Sequence, residues 1–136
     1  MRRALPFLVS VLLALGLSGC GHQATTSESQ NPANPPEPAA WQARLEAASA
    51  IMNPMTRDES LGTLASDAAS HGMDQVVLEA LRKMSNPLTK DDAAQDCAMK
   101  LAAAGKPGAA NQVAGTMMNP INRDEVLAKL AKASGR

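Results

Sequence analysis

An all-α fold, a short solenoid of antiparallel helix hairpins, is predicted by three observations. The stretch Met52-Asn53-Pro54-Met55-Thr56-Arg57-Asp58-Glu59 returns as Ser85-Asn86-Pro87-Leu88-Thr89-Lys90-Asp91-Asp92 and again as Met118-Asn119-Pro120-Ile121-Asn122-Arg123-Asp124-Glu125. The three asparagines stand 33 residues apart each time, with no insertion. A fixed period of that size marks stacked helical units rather than a catalytic domain built around one pocket. Finally, the chain has one Trp, one Phe and no Tyr among 136 residues. A core made of Ala, Leu, Met and Val suits closely approaching helices better than a sheet.

The N-terminus is of a different kind. Met1-Arg2-Arg3 is a basic start, residues 4–17 are an apolar run, and small residues close it at Leu17-Ser18-Gly19-Cys20. That order is the pattern of a secretory signal, too short for a stable membrane span. The last four residues resemble the lipobox of bacterial lipoproteins. The resemblance implies that residues 1–19 are removed and that the Cys20 thiol carries a diacylglycerol, with the new amine acylated as well. More than one acyl chain holds a protein stably on a bilayer, where a single chain does not. The location implied is the bacterial cell membrane or outer membrane, with the domain outside the cytoplasm. Gly21, in place of the Asp that retains such proteins at the inner membrane, points to the outer one.

Residues 20–39 have no apolar periodicity and carry Asn31-Pro32-Ala33-Asn34-Pro35-Pro36-Glu37-Pro38. This composition predicts a disordered, partly polyproline tether. At ~3.1 Å per residue it spans at most ~60 Å, enough to hold a small domain clear of the lipid.

The helical-repeat domain is expected over residues 40–136: a partial unit 40–53, whole units 54–86 and 87–119, and a partial unit 120–136. Within a unit, Thr56 and Glu59 form a capping-box pattern that starts a first helix, helix A. Thr89 with Asp92 and Asn122 with Glu125 repeat it. Leu61, Leu64, Ala65 and Ala68 lie on one helical face, as do Ala94, Cys97, Ala98 and Leu101, then Leu127, Leu130 and Ala131. Gly72 and Gly105 are placed to end helix A in the left-handed conformation. Asp74 or Pro107 then opens helix B, with Val77, Leu78, Leu81 and Met84, or Ala110, Val113, Ala114 and Met117, as its apolar face. Asn-Pro stops helix B, because a proline excludes the helical conformation from the residue before it. Residues 40–52 align with helix B. The expected order is therefore B, A, B, A, B, A, about six helices starting near Ala39.

The Leu61, Leu64, Ala65, Ala68 spacing and the Val77, Leu81, Met84 positions resemble the tetratricopeptide-repeat class. The resemblance implies a right-handed solenoid that binds other proteins. It departs from that class in its period of 33 against ~34, in lacking large aromatics, and in a proline two residues early.

Little in the sequence carries chemistry. Cys97, in the slot of Leu64 and Leu130, reads as a small buried hydrophobe, and with Cys20 acylated no internal disulfide is available. His71, beside the Gly72 cap, suits a helix C-terminus. There is no nucleophile–base grouping, phosphate loop or paired metal ligands, so no catalytic residue, metal or cofactor is assigned. Methionines at the hairpin junctions (Met52, Met55, Met84, Met117 and Met118) read as gap fillers rather than copper ligands. Without Arg2 and Arg3 the bases number 11 against 13 acids, and a near-neutral chain of this kind lacks the basic footprint of a nucleic-acid binder.

Two surfaces are candidates for binding. One is the edge bearing Arg57, Lys90 and Arg123, bases at helix starts where the dipole disfavours them. They would either meet the acid of a neighbouring unit in a ladder or grip an acidic or C-terminal peptide. The other is the inner face of the A helices: Glu59, Gly62 and Ser66; Asp92, Gln95 and Met99; Glu125, Ala128 and Lys132. The asparagines are expected to satisfy backbone groups freed at the end of helix B. The first functional reading is a lipid-anchored envelope protein whose repeat domain docks another envelope protein, as scaffold or assembly helper. The alternative is a structural lipoprotein that self-associates end to end through the open final helix. An enzyme or metal carrier ranks below both.

Overall fold

A computed structural model describes residues 38–134. The signal segment, Cys20 and residues 20–37 of the tether lie outside the described residues. Six α-helices follow one another: α1 (Pro38–Ser49), α2 (Pro54–Ser70), α3 (Asp74–Lys83), α4 (Pro87–Ala103), α5 (Pro107–Ala114) and α6 (Pro120–Ser134). There is no strand among the described residues. The first helix begins at Pro38, within the stretch expected as tether, because a proline in the first turn is preset for helix and costs no hydrogen bond.

The helices pack by sequence neighbourhood. Helix α2 lies against α1, α3 and α4; α4 lies against α2, α3, α5 and α6; α1 has no contact with α4, α5 or α6. Each first-type helix is buried along the face the sequence predicts: Leu61, Leu64, Ala65 and Ala68 in α2, and Ala94, Cys97, Ala98 and Leu101 in α4. The many alanines among them let backbones approach closely, as ridge-in-groove packing of small side chains requires. Trp41 and Leu45 of α1 complete the core at one end, with the Trp41 ring 5.6 Å from that of His71 and the Arg44 guanidinium 4.6 Å above it.

The helix ends show how the repeat is punctuated. Gly72 and Gly105 have φ of 68° and 76°, a conformation a side chain would strain. Met73 N–H and Lys106 N–H then reach back to the Ala68 and Leu101 carbonyls at 2.8 and 2.9 Å, a Schellman closure. The starts of α2, α4 and α6 correct the sequence reading. These helices begin at Pro54, Pro87 and Pro120, not at the capping-box positions Thr56, Thr89 and Asn122. The caps are Asn53, Asn86 and Asn119, whose side-chain oxygens accept from the amides two and three residues on at 2.9–3.4 Å. The steric effect of each proline acts at the start of the helix that it opens. It holds Asn53 and Asn86 extended, with ψ near 118° and 119°, and an extended residue is what an N-cap needs.

The second correction concerns the acids. Asp58 and Asp91 are buried, with only 3% and 5% of their surface exposed. Asp58 reaches from α2 to the end of its own unit, just before α4, and accepts from Ser85 N–H at 3.0 and 3.1 Å and from Asn86 N–H at 2.7 Å. Asp91 does the same one period later, accepting from Met118 N–H and Asn119 N–H at 2.8 Å each. These amides belong to the residues just before α4 and α6, where no helical partner exists for them. A buried carboxylate satisfied by two backbone donors is a charge-assisted joint between units.

Removing that carboxylate strands two donors. Asp58→Ala or Asp91→Ala is expected to lower unfolding free energy by about 2–3 kcal/mol, and Asn86→Ala, which removes a cap, by about 1 kcal/mol. Asp124→Ala, at the same phase in the last unit, should leave urea unfolding of the isolated chain unchanged. Urea denaturation followed by circular dichroism checks all four.

Candidate functional site

The bases of the proposed edge do not form the expected ladder. Arg57 Nη2 donates to Ser85 Oγ at 2.5 Å, and Arg57 Nε lies 3.9 Å from the carboxylate of its own neighbour Asp58. Arg123 Nε is 3.6 Å from Asp124, again the next residue in sequence. Lys90 is half-buried, has no ion pair among the described residues, and lines a separate groove with Arg82 and Gln112. None of these three bases meets the acid of a neighbouring unit, and Asp58 and Asp91 are already committed to the backbone. The position disfavoured by the helix dipole is explained locally in Arg57 and Arg123: the cation sits beside the aspartate that carries, or at α6 repeats, the joint.

The ion pairs between helices lie elsewhere. Arg44 of α1 meets Asp67 of α2 at 2.8 Å. Ser66 of α2 donates to Asp96 of α4 at 2.7 Å and accepts from Lys100, which is itself 2.8 Å from Asp96. Burial of Asp96 opposes ionisation, but the hydrogen bonds from Lys100 and Ser66 outweigh it and lower its pKa. Lys106 meets Asp74 at 2.9 Å, and that hydrogen bond, against a small effect of burial, lowers the Asp74 pKa. Glu125 is likewise lowered by its hydrogen bond with Lys129 at 2.8 Å, on the surface of α6.

The inner-face residues come together in part. Glu59, Gly62, Ser66 and Asp92 line a shallow groove of about 630 Å³ between α2 and α4. Ser66 is used up in holding those helices together. Gln95 and Met99 are exposed on α4 outside that lining, and Glu125, Ala128 and Lys132 are exposed on α6. The groove has no large anchor side chain of the kind that dominates binding energy.

The residues that sequence reasoning missed form a row on the Asn-Pro edge. Met55, Leu88 and Ile121 occupy the same phase of the three units and are 81%, 74% and 77% exposed. Met52 and Met118, at the phase three residues earlier, are also exposed. Of the junction methionines, only Met84 and Met117 fill the core as expected. The signal was present: an apolar residue follows each Asn-Pro. Each stands in the first turn of its helix, two residues after the capping asparagine, and is left in solvent. Beside Met55 a groove of about 560 Å³ runs from Pro54 and Glu59 to Asn86, Pro87 and Thr89, between the starts of α2 and α4. A row of apolar tips flanked by a groove is an interaction surface in the making, since scattered apolar residues need no explanation but aligned ones do.

Among the described residues, no three His, Cys, Asp or Glu side chains are grouped as a metal site would require, and no helix is long and apolar enough to cross a membrane. Comparison of the chain with protein-family models, curated proteins and solved structures finds no match.

Cys97 lies fully buried in α4, where burial, and then the nearby Asp96 charge, push its pKa up to about 12, although Lys100 opposes them. An unfolded thiol ionises near its ordinary value of 9.0. The folded chain therefore holds a proton that the unfolded chain loses, and this contribution to stability is full below that value and fades as pH climbs toward about 12. In a Cys20→Ala chain, maleimide labelling at pH 8 should be negligible in the folded state and rapid in urea. Rapid labelling without denaturant would contradict the buried placement.

Proposed function

We propose that this chain is a lipid-anchored bacterial envelope protein whose helical repeats dock another envelope protein, as a scaffold or assembly helper, and that it has no catalytic role. The array is read as a short right-handed α-solenoid of the tetratricopeptide-like kind. The observation that carries the docking reading is the row of Met55, Leu88 and Ile121, three large apolar side chains held in solvent at one repeat phase. Their caps Asn53, Asn86 and Asn119 fix where each projects, so the row is presented by rigid helix starts rather than by loose loops. A partner with a complementary apolar strip would bury all three at once, and burying an exposed Leu or Met side chain contributes about 1.5–3 kcal/mol. The anchoring half of the proposal is supported by the signal-like start and by Leu17-Ser18-Gly19-Cys20.

Each half has its own test. A photo-crosslinking residue at position 88 should capture a discrete partner in intact cells, whereas one at exposed Arg82 on α3 should not. Identical patterns from the two positions would count against the edge. Radioactive palmitate should label the wild-type chain and leave Cys20→Ala unlabelled; equal labelling of the two refutes the anchor.

A further inference from the structure

We propose that copies of this chain join head to tail, with α6 of one copy seated in the groove between α1 and α2 of the next. The inference rests on the repeat register and on surfaces at the two ends of the array, so it stands apart from the docking edge above.

The order of helices leaves complementary half-units. The first described helix, α1, is of the second type and lacks a first-type helix before it. The last described helix, α6, is of the first type, and no second-type helix follows it among the described residues. At the α6 end, positions that are buried in the interior units come to the surface. Asp58 and Asp91 are buried, but the side chain of Asp124 is 73% exposed. Ala65 and Ala98 are fully buried, but Ala131 is exposed; Leu61 and Ala94 are fully buried, but Leu127 is only half-buried. Val126 and Leu130, each one residue before Leu127 and Ala131 and so roughly 100° round the helix from them, are buried, and α6 packs on α4 and α5. The open face is therefore the one that would meet a following unit.

The other end shows the matching deficit. Ala47 of α1 is exposed where Ala80 and Val113 are fully buried, and Ile51 is half-buried where Met84 and Met117 are buried. These two residues, with Ser60, Thr63 and Leu64, line a groove of about 550 Å³ between α1 and α2. In the interior, the equivalent groove is the seat of the preceding first-type helix: Ala93, Asp96 and Cys97 stand at the phases of Ser60, Thr63 and Leu64, and α4 bearing them packs on α2.

The polar groups match as well. Asp58 and Asp91 accept from amides 27 and 28 residues ahead. Carried one period on, Asp124 would take the amides of Met52 and Asn53 in the next copy. Those two amides meet no carboxylate among the described residues. Ser66 contacts Lys100 across α2 and α4; by the same register Lys132 of one copy faces Asp67 of the next, a cation opposite an acid. Arg44, at the phase of Val77 and Ala110, departs from the apolar pattern. It is held by Asp67 of its own copy at 2.8 Å, at the rim of the groove. A second copy is thus an occupant for which the aspartate joint and the apolar register both have counterparts. Such a contact is heterologous and adds copies without closing on a pair.

Disulfide trapping tests this in the full chain. A Cβ at Gly62 would lie 3.8 Å from that of Ala93, close to the spacing a disulfide requires. The equivalent pair across the junction is Ala128 of one copy and Ser60 of the next. Chains carrying both Ala128→Cys and Ser60→Cys, oxidised in intact cells, should give a ladder of linked oligomers on a non-reducing gel. Each single variant should give none, and a mixture of the two should give a dimer only. Adding Asp124→Arg, which puts a cation against two amide donors at an exposed position, should reduce the ladder roughly tenfold or more while circular dichroism stays unchanged. A double-cysteine pattern identical to that of the single variants overturns the proposal, as does a ladder that Asp124→Arg leaves at full strength. Neither result would bear on crosslinking at position 88.

Discussion

The bond between a buried aspartate and the backbone just before the next first-type helix is what the architecture depends on. Second-type helices α3 and α5 close with C-caps that bond back within the helix, but the amides of Ser85 and Asn86, and of Met118 and Asn119, just before the next helix, have no helical partner. Asp58 and Asp91 satisfy them from the preceding first-type helix. Each carboxylate thus fixes where one helix stops, where the next starts and how the two units are spaced. Arg57 beside Asp58, bonded also to Ser85, holds the charge in place. Apolar packing supplies most of the driving force for folding, but it is non-directional. The aspartate gives that packing its register.

A large part of this was legible in the chain. The period located all six helices, the glycines with positive φ and the buried face of α2 and α4, because each depends on residues only a few positions apart. Three things were not legible, for one shared reason. The Asn53 cap, the Asp58 joint and the exposure of Met55 all depend on what an extended turn places next to a neighbouring unit. The capping-box pattern at Thr56 and Glu59 was a valid local motif, yet Pro54 and Asn53 offered a better start two residues earlier. The charge pattern suggested base-to-acid pairs between units, and a sequence does not display backbone donors waiting for an acid. Met55 has the composition of core, yet its place in the first turn of α2 leaves it exposed. The apolar row, on which the docking reading rests, was written at a fixed phase in all three units but looked like filler.

The charged contacts divide along the same lines. Arg44 with Asp67, the Ser66–Asp96–Lys100 group and Asp74 with Lys106 all tie one helix to another across units. They are partly exposed, so each contributes modestly and weakens in salt. Their value is in alignment: they stand at the rims of the apolar contacts. Trp41, the only large ring among the described residues, closes one end of the core where no further unit is present in the described chain.

A joint made by giving a carboxylate forward and receiving one from behind has a consequence for how such a chain changes length. Both described boundaries share the same aspartate-to-amide bond, so duplicating a 33-residue stretch creates a new boundary with that bond, and deleting one leaves no aspartate without its amides. Size is then free to drift by whole units while drift by single residues is forbidden, since an insertion of one residue would rotate Asp58 away from its two amides. The strict spacing of Asn53, Asn86 and Asn119 is the trace of that rule.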